Sequence, residues 1–271
     1  MLIRGLEINM LRIILLVIAV STLTGCGLAK ATFAYFQSTD NFIEINSSGV
    51  FYEDGSKDHA VITEKLLPAA IKAIEEKQNK KFKEKVAIYI CNSKESFSKY
   101  SGAPKIARGA VFNGKLFISP RAVETDTLNL ILIHELSHLH FHQYVGNRRY
   151  ASNIPPWFQE GLAVYVSGGG GAEKVTHEAA KKSMLQGNTF TPNKSGSLIF
   201  PKTAFWFGLK PQMFYRQSSM FVDYLSNNYK VELQEFIALL FDDMEFNEAF
   251  NKAFDKSIDG VWVEFIDTLT T

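Results

Sequence analysis

The stretch Leu128–His142, LNLILIHELSHLHFH, places four of the chain's six histidines within nine residues of an otherwise aliphatic run. Apolar residues at Ile131, Leu132, Leu136 and Leu139 recur at helical spacing, so the segment reads as a helix set into a hydrophobic core. Imidazoles and a carboxylate buried there need compensation, because an uncompensated buried charge is costly. On a helix, His134 and His138 stand one turn apart on the same face and can share one metal ion. Glu135 flanks that face and can reach a water held by the ion without binding the ion itself. His138 and His142 repeat the spacing, but no carboxylate takes the place of Glu135 beside them. One ion cannot reach both His134 and His142, since eight residues of helix rise about 12 Å. His140 and His142 therefore read as packing or supporting groups.

The first 25 residues follow the order of a secretion signal: Arg12, the apolar run IILLVIAV, then the small residues of STLTGC. The apolar run is too short for a permanent membrane span. Glu7 is unusual in a basic leader region, and Met10-Leu11-Arg12 would open one cleanly. Leu23-Thr24-Gly25-Cys26 resembles the lipobox of bacterial lipoproteins, which implies a lipid on Cys26. The implied location is the cell envelope: the outer membrane or periplasm of a Gram-negative cell, or the surface of a Gram-positive one. Removing Arg4, Glu7 and Arg12 with the leader leaves 27 basic and 27 acidic residues. That balance gives no support to a nucleic-acid partner. Cys91 would then lack a disulfide partner, and its place at the end of VAIYIC reads as a buried, inert thiol.

Residues 26–58 read as a tether with first strands at NFIEI and GVFYE, and 59–271 as one domain. Helical spacing runs from Val61 to about Gln78, and VAIYIC reads as a buried strand. Asn113-Gly114 between two strand-like arms is a strong hairpin signal. Thr125-Asp126 is expected to cap the histidine helix, which should run to about Tyr144. Pro155-Pro156 separates it from a helix over Trp157 to about Val166. Gly168–Gly171 lack the Lys-Ser/Thr of a phosphate-binding loop and read as a plain helix-ending loop. From Pro211 the pattern is helical to the end, with breaks near Asn227, Asp242 and Asp255. The fold class is α+β: a small mixed sheet with an edge hairpin, then a mainly helical lobe, with the HExxH helix between them.

A catalytic zinc needs three protein ligands and an open position, so a third ligand must come from another element. PPWFQEGLAVY offers Glu160, although a glutamate near a helix start is also an ordinary partner of the helix dipole. HExxH with 21 residues separating His138 from Glu160 in Trp157-x-x-Glu160-Gly161-x-Ala163 resembles the gluzincin zinc peptidases, in particular the bacterial peptidase MA-like family. The resemblance implies a zincin-like fold, one zinc ion on His134, His138 and Glu160, Glu135 as general base, and a peptide or protein substrate. YRQSSMFVDYL resembles the helix whose tyrosine supports the oxyanion in aminopeptidase-like gluzincins, which implies that role for Tyr215. Periodicity alone also allows Tyr215 as the edge residue of a plain amphipathic helix. Thermolysin-like relatives carry an aspartate one turn after the glutamate ligand, whereas this chain has Val164. The resemblance therefore leaves the partners of the metal histidines unassigned.

GAVFN, beginning 25 positions before His134, resembles the Gly-Ala-Met-Glu-Asn strand of gluzincin aminopeptidases. It implies that the backbone at Gly109, Ala110 and Val111 binds extended substrate. Phe112 would stand where those enzymes use a glutamate to hold a free amino terminus, and Glu173 or Glu178 could replace that acid. The expectation is an endopeptidase. Two alternatives stay open: an inactive zinc-binding lipoprotein used in adhesion or assembly, and a zinc amidase acting on cell-wall material.

Overall fold

The computed structural model describes residues 30, 32–192 and 201–270; Cys26 and the signal-like segment lie outside them. NFIEI and GVFYE supply β1 (Ile43–Ile45) and β2 (Val50–Tyr52), an antiparallel pair. β2 runs parallel to β3 (Ile88–Ile90), and β3 parallel to β5 (Lys115–Ile118). Parallel neighbours need crossovers, and helices α1 (Lys57–Lys77) and α2 (Lys94–Ser101) lie in them. β4 (Gly109–Phe112) pairs antiparallel with β5 and completes the order β1-β2-β3-β5-β4 as an edge. Asn113 and Gly114 form the expected two-residue turn, both at positive φ (49° and 72°), which suits the twist of a hairpin.

The two-residue period of the strands sorts their side chains into two cores. Val50, Ile88, Ile90, Leu116 and Ile118 join the main core, against which α1 and the histidine helix pack. Tyr89 and Phe117 face the other way, into a cluster with Phe42, Phe97 and Tyr100 that also receives Ala110 and Phe112. Full burial of a side chain such as Phe97 contributes about 1.5–3 kcal/mol. Cys91 sits in this second cluster as a free, buried thiol, and burial pushes its pKa far up.

The histidine helix is preceded by a short helix, α3 (Arg121–Glu124), which moves its start. Thr125 ends α3 and donates its hydroxyl to the Arg121 carbonyl (2.7 Å), while Asp126 takes φ 54°. The helix, α4 (Leu128–Asn153), therefore starts after Thr127, which makes no side-chain cap bond, and not from a Thr125-Asp126 cap. Its regular course breaks at Gly146 (φ 72°, ψ 155°), close to the expected end, and then resumes to Asn153. That resumed piece was not expected from the sequence.

The Pro155-Pro156 break leads into α5 (Pro156–Ser167), and α6 spans His177–Leu185. A 3₁₀ turn at Ala204–Phe207 precedes the four C-terminal helices: α7 (Pro211–Asn228), α8 (Lys230–Phe241), α9 (Phe246–Phe254) and α10 (Ile258–Thr268). Pro156 and Pro211 sit at first helical positions, where a missing N–H costs nothing. α5 packs closely on α7 because Gly161 has no side chain: a Cβ there would lie 2.7 Å from the Ser218 carbonyl oxygen. Trp157, Phe158, Phe221, Phe236 and Phe246 form the aromatic centre of this helical half. Among the described residues no helix is long and apolar enough to cross a membrane.

Candidate metal centre

α4 buries Ile131, Leu132, Leu136 and Leu139 in the core, which leaves His134, Glu135 and His138 on the face toward a cleft of about 1080 Å³. One wall of the cleft is the start of β4 and the loop before it. The other is the loop after α5 together with the start of α7. β4 crosses directly over Glu135, where a Cβ on Gly109 would stand 2.5 Å from the glutamate Cγ. Any larger residue at 109 would displace the carboxylate or the strand.

The two imidazoles converge through their Nε2 atoms, 3.1 Å apart. Glu160, one turn into α5, brings its Oε2 to 3.4 Å from the Nε2 of His134 and 3.9 Å from that of His138. Ligands held at about 2.0–2.2 Å from one tetrahedral ion stand roughly 3.3–3.6 Å from each other, close to the separations here, so this donor set fits a zinc-sized cation. Glu160 Oε2 is buried and has no hydrogen-bond partner. A buried carboxylate oxygen without a hydrogen bond, facing two imidazole nitrogens, is a donor set that a cation would satisfy. His134, His138 and Glu160 can thus hold a metal ion.

The other nitrogen of each ring is held as well. His134 Nδ1 lies 2.8 Å from the Gly170 carbonyl, which can only accept, so Nδ1 carries the proton and Nε2 keeps its lone pair for a metal. His138 Nδ1 lies 2.7 Å from the hydroxyl of Tyr150, a buried residue on the resumed part of α4. Burial pushes His138 down to about 3, so it stays neutral. For Glu160, burial pulls upward, but His134 and His138 outweigh it and hold the carboxyl below its ordinary range. For His134, burial pulls downward and the neighbouring Glu160 more than offsets it. Burial raises Glu135 to about 7 against the opposing pull of His134, which is where a proton acceptor works best near neutrality.

Tyr215 projects from α7 into the same cleft, its ring 6.3 Å from that of His134. The charge of Glu160, and then burial, push its hydroxyl far up, so it remains a hydrogen-bond donor. Of the three strand residues expected to face substrate, Gly109 lines the cleft. Ala110 turns its side chain into the second core and Val111 packs on the main core. The hairpin register directs the backbone groups of Gly109 and Val111 to the open edge and those of Ala110 toward β5. Phe112 also lies in the second core and does not reach the cleft, because alternation puts it on the face opposite Gly109. The position compared with an amine-holding glutamate is therefore remote from the metal site. Glu173 is engaged by Arg108 (2.9 Å) and by the Gly171 N–H (3.0 Å), and Glu178 is not in the cleft lining.

His140 and His142 stand apart from the centre. His140 is fully buried between the Gln78 side chain and the Lys81 carbonyl, and His142 bonds Asn147 Oδ1 (2.7 Å). Sequence reasoning missed Tyr150, the Gly170 carbonyl and Arg108. The four-glycine run and the Gly146 break were the available signals, since each lets backbone turn back on α4. A family model for the Peptidase MA superfamily matches residues 68–269, a span that includes His134, His138, Glu160, Tyr150 and Tyr215. No curated protein matches the chain.

Proposed function

The chain belongs to the Peptidase MA superfamily, and from that membership we propose that it is a gluzincin-type zinc metallopeptidase that cleaves peptide bonds within extended chains. The observation that carries the reading is the convergence of His134 Nε2, His138 Nε2 and the orphaned Glu160 Oε2 beside a buried Glu135. Zinc held by those three atoms would supply Lewis acidity toward the scissile carbonyl and toward water.

The remaining steps belong to the protein's own groups. An extended substrate lies along the open edge of β4, its backbone paired with the outward groups of Gly109 and Val111. Glu135 takes the proton of the attacking water and hands it to the leaving nitrogen. The Tyr215 hydroxyl donates to the oxygen that gains charge as the carbonyl becomes tetrahedral. The acidic side chains lining the cleft are Glu135 and Glu160. Glu173, the nearby acid, is paired with Arg108, so among the described residues no unpaired carboxylate besides those two lines the cleft to hold a free amino terminus. This supports internal cleavage. An assembly module that only binds zinc has no use for Glu135, whose burial is costly.

Cys26 carries the lipid in this proposal and keeps the enzyme at the cell envelope, a reading supported by the order of regions before it. Cys26→Ser should move the protein from the membrane to the soluble fraction, and an unchanged anchored fraction would refute the lipid. The peptidase reading is tested by zinc content and by cleavage of a mixed peptide library. Zinc-loaded wild type should cleave acetylated and free-amino peptides with similar kcat/KM, and a strong requirement for the free amine would overturn the endopeptidase. Glu135→Gln should retain one zinc and lose about 10²- to 10⁴-fold in kcat.

A further inference from the structure

The chain as a whole is close to electrically neutral, at a formal +1, but the charges around the cleft are not evenly matched. Glu135 and Glu160 would offset the charge of a divalent ion held at His134, His138 and Glu160. Farther along, Arg108 is matched by Glu173, with Nη2 to Oε2 at 2.9 Å, and its Nη1 is held by Thr127. Two cations then remain in the lining, Lys174 and Lys210. Neither ammonium has an ion pair or hydrogen bond among the described residues, and both residues are exposed.

Both lysines belong to one wall. Lys210 precedes the first residue of α7, and the backbone N–H of Lys174 donates to Gln212 Oε1 (3.1 Å) in the first turn of that helix. This wall faces the β4 side across the groove that ends at His134 and Glu135. Apolar groups of Ile106, Val175 and Met213 fill the lining around the charges. A peptide laid along β4 would therefore pass two unpaired ammonium groups and no unpaired carboxylate outside the metal centre.

We infer that the cleft selects acidic polypeptide segments, with Lys174 and Lys210 as the specificity-determining residues that pair with carboxylates flanking the scissile bond. The inference rests on the peptidase reading above and adds a substrate class to it. Pairing at an exposed rim is weak for each charge, but attraction exchanged for repulsion acts at both lysines in the same direction, and salt screens it.

The test uses the zinc-loaded full chain and three acetylated, amidated peptides with one scissile centre and Glu, Gln or Lys on both flanks. Expected kcat/KM falls in the order Glu, Gln, Lys, by about threefold per step at low salt, and the spread narrows at about 0.5 M salt. The double variant Lys174→Glu/Lys210→Glu should invert the order, whereas Lys252→Glu, on α9, should leave it. Equilibrium binding of the same peptides to zinc-loaded Glu135→Gln reads the order without turnover. Equal cleavage of the three peptides, or an order unchanged in the double variant, overturns the charge selection and leaves the peptidase standing. Absent turnover with the binding order intact overturns the peptidase alone, and absent turnover with equal binding overturns both.

Discussion

His138 and His140 are two residues apart on one helix, both are buried or nearly so, and burial pushes both down, to about 3 and about 4. They face opposite sides of α4, since two residues turn a helix by roughly 200°. On the cleft side, His138 gives one nitrogen to Tyr150 and turns the other toward His134 and Glu160. On the core side, His140 has both nitrogens occupied, by Gln78 and by the Lys81 carbonyl, with Phe82, Tyr144 and Phe241 edge-on around the ring. Burial and residue type are shared by the two sites. What separates the candidate metal ligand from the core histidine is one lone pair that no protein donor claims, turned toward His134 and Glu160.

The largest expected effect breaks that contrast directly. His138→Ala should abolish stoichiometric zinc binding and with it all measurable hydrolysis, while His140→Ala should keep one zinc per chain. Metal analysis of the two purified variants decides it, and full zinc content in His138→Ala would refute the ligand set. A smaller effect sharpens the contrast by loosening the ring without removing the ligand. Tyr150→Phe should weaken zinc affinity by about 10- to 100-fold with the fold retained, because the oxygen that orients His138 Nδ1 is lost. Competition with a chelator measures this, and unchanged affinity would leave Tyr150 as a packing residue.

The smallest effect lies on the core side. His140→Leu should leave zinc affinity near the wild-type value and lower stability by about 1–3 kcal/mol, since Gln78 and the Lys81 carbonyl lose a buried partner. Denaturant unfolding of the zinc-loaded protein reads it. A loss of zinc without a loss of stability would place His140 in the metal's support instead.

Sequence was sufficient for most of what short-range geometry governs. The i, i+4 spacing of His134 and His138, the Asn113-Gly114 hairpin, the proline-led helices and the order of sheet before helices all follow from backbone periods that span a few residues. The α+β class and the face of α4 that carries His134, Glu135 and His138 were legible for that reason. The start of α4 was misplaced because the four-residue α3 leaves almost no periodic trace.

Only the tertiary structure decided the rest. The partners of His138 and His134 come from 12 and 36 residues away, across the Gly146 break and the glycine loop, and nothing local fixes the direction in which those bends return. Order along the chain aligns Phe112 with the amine-holding glutamate, but its odd offset of three residues from Gly109 sends it to the opposite face of the sheet. Covalent geometry fixes what lies one turn or one strand residue away. Which lone pair is left free for a cation depends on atoms that meet only when the whole chain has packed.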